Sequence, residues 1–219
     1  MAVAVTQGSG TNVAADVYGT AHNISGGEQV QFVALGAGVL GALQLAVEAN
    51  PAFVSSALVA IPSANFSRPA DTTAYASADL VANSTVAGSV TPMSWTAPRY
   101  ATGSGQIRLA RLKKSAVSVT NAVFRLHLYT ASPTIANGDN AAWSTTHSGY
   151  LGSFEFDLTG GTGRVFTDAS YAIGTPSVGS EVGFDLASGS TVYGLLEARG
   201  AYTPASAETF TVDLQIVQF

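Results

Sequence analysis

GQIRLARLKKSAVSVTNAVFRLHLYTASP, Gly105 to Pro133 of a 219-residue chain, reads as two long β-strands joined by a short polar connection. Phe124, Leu126 and Leu128 alternate with Arg125, His127 and Tyr129, the period of two that sends apolar side chains to one face of a sheet. In the first strand Ile107 and Leu109 keep one parity and Ala110 and Leu112 the other. A β-bulge between Leu109 and Ala110 accounts for that slip. Ser118, Thr120 and Asn121 favour a turn, because their side chains compete for nearby backbone groups. The pair is therefore expected to form a hairpin at the centre of an all-β domain.

Downstream the same logic continues. Leu151 to Leu158 places Phe154 and Phe156 on one face and Glu155 and Asp157 on the other. Phe210, Val212, Leu214 and Ile216 alternate with Thr209, Thr211, Asp213 and Gln215 in the clearest strand of the chain. Short strands divided by Gly, Pro and Ser turns indicate a sandwich or barrel. Upstream, Phe53 to Ile61 reads as a buried strand ended by Pro62. Pro92, inside the run from Gly88 to Thr96, points to a sheet edge or bulge. Residues 1–50 hold no Lys or Arg and are rich in Gly, Ala and Val. VAVTQGSGTNVAADVYG alternates weakly about Gly8 to Gly10, as short strands or an extended arm would. The expected organisation is a Gly/Ala/Val-rich N-terminal arm or small β subdomain over 1–55, then an antiparallel β-sandwich of jelly-roll type over 56–219.

Composition narrows the function classes. Hydrophobic residues make up 47% of the chain, ample for a core without staples, and there is no Cys, so neither disulfides nor thiolate metal sites are available. Charged residues are only 11%, against about 25% in a typical globular domain. A net charge of −5 argues against general nucleic-acid affinity, since phosphate neutralisation needs a surplus of cations. The most apolar run, Phe32 to Val47, is shorter than the ~20 residues of a spanning helix, so no membrane association is expected. Charge is also unevenly placed. Val81 to Gly138 holds six basic residues and no acid, whereas Asp139 to Phe219 holds nine acids against Arg164 and Arg199. Either strands from the two halves balance each other within one sheet, or the basic strand (Arg108, Arg111, Lys113, Lys114) meets an acidic face of a neighbouring subunit.

Candidate chemistry is sparse. His22, His127 and His147 show no zinc-ligand spacing, and no GxSxG elbow is present. Asn137, Asp139 and Asn140 around Gly138 resemble a fragment of a calcium loop but lack its full spacing and terminal Glu. No metal, cofactor or catalytic residue is assigned. Trp143, with His147 and Tyr150 nearby, forms either a sugar-stacking platform or a cover packed over the sheet edge, in a loop long enough to be functional.

Three long runs carry a family resemblance: IPSANFSRPADTTAYASADLVANSTVAGSV (Ile61 to Val90), IRLARLKKSAVSVTNAVFRLHLYTASPTIANGDNAAWSTTHSGYLGSF (Ile107 to Phe154) and VYGLLEARGAYTPASAETFTV (Val192 to Val212). Together they resemble a family of tailed-phage and prophage proteins associated with virion structural genes. The resemblance implies a non-enzymatic virion protein, assembled in the host cytoplasm. The expectation drawn from it is a homotrimeric decoration or cement protein bound to the phage major capsid protein on the outer head surface. Arg108, Arg111, Lys113, Lys114, Val33, Leu35 and Leu40 are the candidate contacts. The alternative is a host-recognition module of a tail, baseplate or head fibre, with Asn137, Asp139, Trp143, His147 and Tyr150 lining a loop for a host surface glycan.

Overall fold

The computed structural model describes residues 58–96, 102–160 and 163–218, together with four two-residue strands nearer the N-terminus. The chain divides into two compact units, Met1–Ser56 and Ala57–Phe219. In the first, β1 (Val5–Thr6) pairs with β2 (Asn12–Val13) and β3 (His22–Asn23) with β4 (Gln29–Val30), both antiparallel. The first pair brackets Gly8 to Gly10, as the weak alternation suggests.

The second unit is all-β, with a single short 3-10 turn at Ala87–Ser89 among the described residues. Its strands are β5 (Leu58–Ala60), β6 (Ser63–Ser67), β7 (Asp79–Val81), β8 (Met93–Thr96), β9 (Ser104–Lys114), β10 (Val123–Tyr129), β11 (Tyr150–Asp157), β12 (Arg164–Val165), β13 (Ser170–Pro176), β14 (Val182–Asp185), β15 (Thr191–Ala198) and β16 (Thr209–Gln218). These twelve form one antiparallel sheet with the path β5-β16-β9-β13-β11-β10-β15-β7, and it does not close. β6 also lies on β16, β8 on β15, β14 on β9 and β12 on β13.

The path folds over at β13, which pairs with β9 through Ser170 to Gly174 and then with β11 at Thr175 and Pro176. Its two halves consequently face each other across one core. Phe124 of β10 meets Phe210 of β16 edge-on at 5.4 Å, and the Trp95 indole of β8 donates to the Val212 carbonyl of β16 at 3.0 Å. Phe124, Leu126, Phe154, Phe156, Phe210, Val212, Leu214 and Ile216 are all fully buried, as their alternation predicts.

Three expectations need correction. β9 and β10 do not form a hairpin: β9 pairs with β16, β13 and β14, β10 with β11 and β15. The residues between them cross from one half of the sheet to the other, because each strand is flanked on both sides by later segments. The bulge exists one residue earlier than the parity suggested. Gln215 lies opposite Leu109 and Ile216 opposite Ile107, so Arg108 is the extra residue and Leu109 already points outward. Finally, of the strand expected over Phe53 to Ile61 only the part from Leu58 onward is among the described residues, and there β5 is an edge strand rather than a buried one, with Val59 52% exposed and Ile61, just past its end, 53% exposed. Pro92 directly precedes β8, the edge-strand position where a missing N–H does least harm.

Candidate functional site

The outward face of β11, β10 and β15 gathers a cluster of aromatic, imidazole and charged side chains. Register sets them in rows: Tyr150, Tyr129 and Tyr193; then Ser153, His127 and Leu195; then Glu155, Arg125 and Glu197. Alternation along β10 is the cause, since Arg125, His127 and Tyr129 share one face while Phe124, Leu126 and Leu128 fill the core.

Contacts tie these rows into one network. His127 bonds through Nε2 to a Glu197 carboxylate oxygen at 2.9 Å and through Nδ1 to the Tyr150 hydroxyl at 3.2 Å. Arg125 donates to Glu155 and lies 4.0 Å from Glu197, whose other oxygen accepts from Arg199 at 2.9 Å. Burial by itself raises the Glu197 pKa, but the hydrogen bonds from His127 and Arg199 outweigh it and hold the carboxyl below its usual range. The Tyr129 ring lies edge-on to Tyr150 at 5.4 Å, and its hydroxyl, pushed up by burial, meets Thr145 Oγ1 at 3.1 Å. Glu155 and Asp157 do not act as a pair of free carboxylates. Glu155 is held by Arg125, and Asp157 accepts from the Thr159 backbone N–H at 2.8 Å.

Between β10 and β11 the chain covers part of this face. Bridges join Ile135 to Thr145 and Asp79 to Ala142. Asn137 donates to the Ala142 carbonyl at 2.7 Å. Asp139 is buried and accepts from the Tyr75 hydroxyl at 2.7 Å, the Ala82 N–H at 2.8 Å and the Arg68 guanidinium at 3.0 Å. Those bonds occupy the carboxylate that a calcium loop would need, so the likeness of this stretch to one is a matter of composition alone. Gly138 is required there for another reason, since a Cβ would collide with the Thr85 backbone. Trp143 packs beside Leu80, Ala82 and Leu195 and lies 4.3 Å from the His127 ring. It is a cover over the sheet, and its ring partner is His127 rather than His147, which is exposed. Among the described residues no group of three or more His, Asp or Glu side chains is placed to hold a metal ion.

The basic strand is satisfied largely within the chain. Arg108 lies 3.8 Å from Glu181, and Arg111 sits opposite Asp213. Arg108, Arg111 and Lys113 face outward, but Lys114 does not, and its candidacy as a subunit contact is corrected here. The bulge at Arg108 turns Ala110, Leu112 and Lys114 to the inside. Fully buried, the Lys114 ammonium donates to Ala116 O at 2.8 Å and to Ser118 O, and lies 3.3 Å from Glu208. The Tyr202 ring sits 4.9 Å below it, and the Tyr202 hydroxyl donates to Glu208 at 2.7 Å. Burial lowers the Lys114 pKa despite the neighbouring carboxylate.

Sequence reasoning passed over Arg68, Tyr75, Glu197, Tyr202 and Glu208. One signal was available: Glu197 interrupts the apolar run of β15, and a carboxylate there needs a cation. The candidate contacts Val33, Leu35 and Leu40 lie outside the described residues. No family model, curated protein or solved structure matches the chain.

Proposed function

We propose that this chain is a structural protein of a tailed-phage virion, a β-sandwich of jelly-roll type that oligomerises as a trimer. It decorates the outer surface of the head by binding the major capsid protein. The observation that carries the reading is the edge of the sheet. Leu58 to Ser67 bears no charged side chain, and Val59 and Ile61 stand about half exposed along it. Sheet edges facing solvent are commonly blunted by Lys or other charges, so an uncharged edge with branched apolar residues suits adhesion to another protein. The resemblance over Ile61 to Val212 falls within the second unit and supports the same reading.

Adhesion of this kind works by removing apolar area from water, worth about 25 cal/mol per Å². Assembled capsid offers the binding surface and so is stabilised by mass action. Arg108, Arg111 and Lys113 supply outward positive charge for matching an acidic partner, which governs orientation and on-rate more than affinity.

Quantitative mass spectrometry of separated heads and tails tests the proposal. Copies in the hundreds travelling with heads are expected. Recovery with tails, in a few to some tens of copies, would replace it with the host-recognition reading, to which the aromatic row at Tyr150 lends support. Absence from both would remove it from the virion altogether.

A further inference from the structure

From the geometry of the outward face of β10 and β11, we propose that Tyr150, Arg125 and Glu155 form a binding site for a neutral saccharide. The inference goes beyond the virion role and does not rest on it. A sugar offers an apolar C–H face and a fringe of hydroxyls, each both donor and acceptor, so its site needs a fixed aromatic face beside a fixed donor and acceptor.

Tyr150 supplies the first. It is 44% exposed, yet its hydroxyl is held by His127 Nδ1 at 3.2 Å and its ring lies against Tyr129 at 5.4 Å and His127 at 5.8 Å. An exposed ring fixed in this way loses little freedom on binding. His127 is itself fixed, by Trp143 against its ring at 4.3 Å and by Glu197 on Nε2 at 2.9 Å.

Arg125 and Glu155 supply the second requirement. They face each other across β10 and β11, hydrogen-bonded, with 29% and 31% of their side chains exposed. That arrangement offers N–H donors and a carboxylate acceptor side by side, suited to vicinal hydroxyls. Tyr150 lies opposite Tyr129, two rows along the strand face from Arg125 and Glu155, about 13 Å at strand rise. A disaccharide lying along β10 can therefore set one ring on Tyr150 and reach the pair with the other.

Charge selects against acidic sugars. Arg125 and Arg199 are both engaged by carboxylates, Glu155 and Glu197, so two cations offset two anions and no guanidinium is left to neutralise a ligand.

Saturation-transfer NMR on the full chain tests the site, with lactose, maltose, cellobiose and diacetylchitobiose as probes at millimolar concentration. At least one is expected to receive saturation, and Tyr150→Ala is expected to weaken that sugar on the order of tenfold. Val178→Ser, at an 87% exposed position, serves as a control that leaves binding unchanged. Circular dichroism confirms that both variants are folded, and Tyr150→Phe, which keeps the ring, should retain most of the signal. No transfer to any of the four sugars overturns the site, and so does transfer that survives Tyr150→Ala. Either failure leaves the head-to-tail count as a separate test of the virion reading.

Discussion

Lys113 and Lys114 are identical residues at adjacent positions, and alternation gives them opposite surroundings. Lys113 is exposed on the outer face, whereas Lys114 is enclosed with Glu208, Tyr202 and two backbone carbonyls. Lys114→Met removes the cation and leaves the buried Glu208 carboxylate with no countercharge, which should cost about 3–5 kcal/mol in urea unfolding. Lys113→Met should stay within about 0.5 kcal/mol. Replacing Lys114 and Glu208 together by Met is expected to recover much of the single-variant loss, since the stranded charge is then gone as well. Asp139 yields a second prediction. With Arg68, Tyr75 and Ala82 on its oxygens, added calcium should leave the thermal unfolding midpoint unchanged in calorimetry. A rise of several degrees would mean that the carboxylate exchanges partners for the ion.

At the scale of strands, β15 crosses beneath Trp95 at a glycine. A Cβ on Gly194 would lie 2.7 Å from the Trp95 ring and 3.1 Å from Leu126, and the indole is held in place by its bond to Val212. Gly194→Ala should therefore destabilise by about 1–3 kcal/mol through overpacking and alter the Trp95 emission. Gly183→Ala on β14 meets nothing within 4 Å and should be close to neutral in the same assay. The alternation of β10, β11 and β16 was legible because each has one wet and one dry face, and a period of two follows from that alone. The partner of each strand was not legible. β9 and β10 are neighbours in sequence and each carries strands on both sides, so pairing was decided by segments as far away as Gln218, the partner of Gly105. The bulge was visible as a change of parity, but Leu109, apolar and half-buried on the outer face, disguised its position by one residue. At the candidate site the outward direction of His127 and Arg125 could be read from β10. Their carboxylate partners could not, because Glu155 and Glu197 arrive from two different strands.

For the whole molecule, acid stability depends in part on Glu197. Its carboxyl titrates at lower pH in the folded chain than in the unfolded one. Its contribution is therefore complete above the unfolded value and disappears as pH falls through the folded one. Urea midpoints should drop along that acid limb, and Glu197→Gln should flatten the drop while lowering stability at neutral pH. A limb unchanged by Glu197→Gln would assign acid sensitivity to other groups. The order of strands also has a bearing on time. β16 lies between β9 and the edge strands β5 and β6, yet it follows all of them in the chain. During synthesis β9 must wait for roughly a hundred further residues before its longest partner exists, and loop closure over such distances is slow. Until then the apolar faces of β9 and β10 have no native cover, so the nascent chain is a natural client for chaperones, and its yield should respond to their supply.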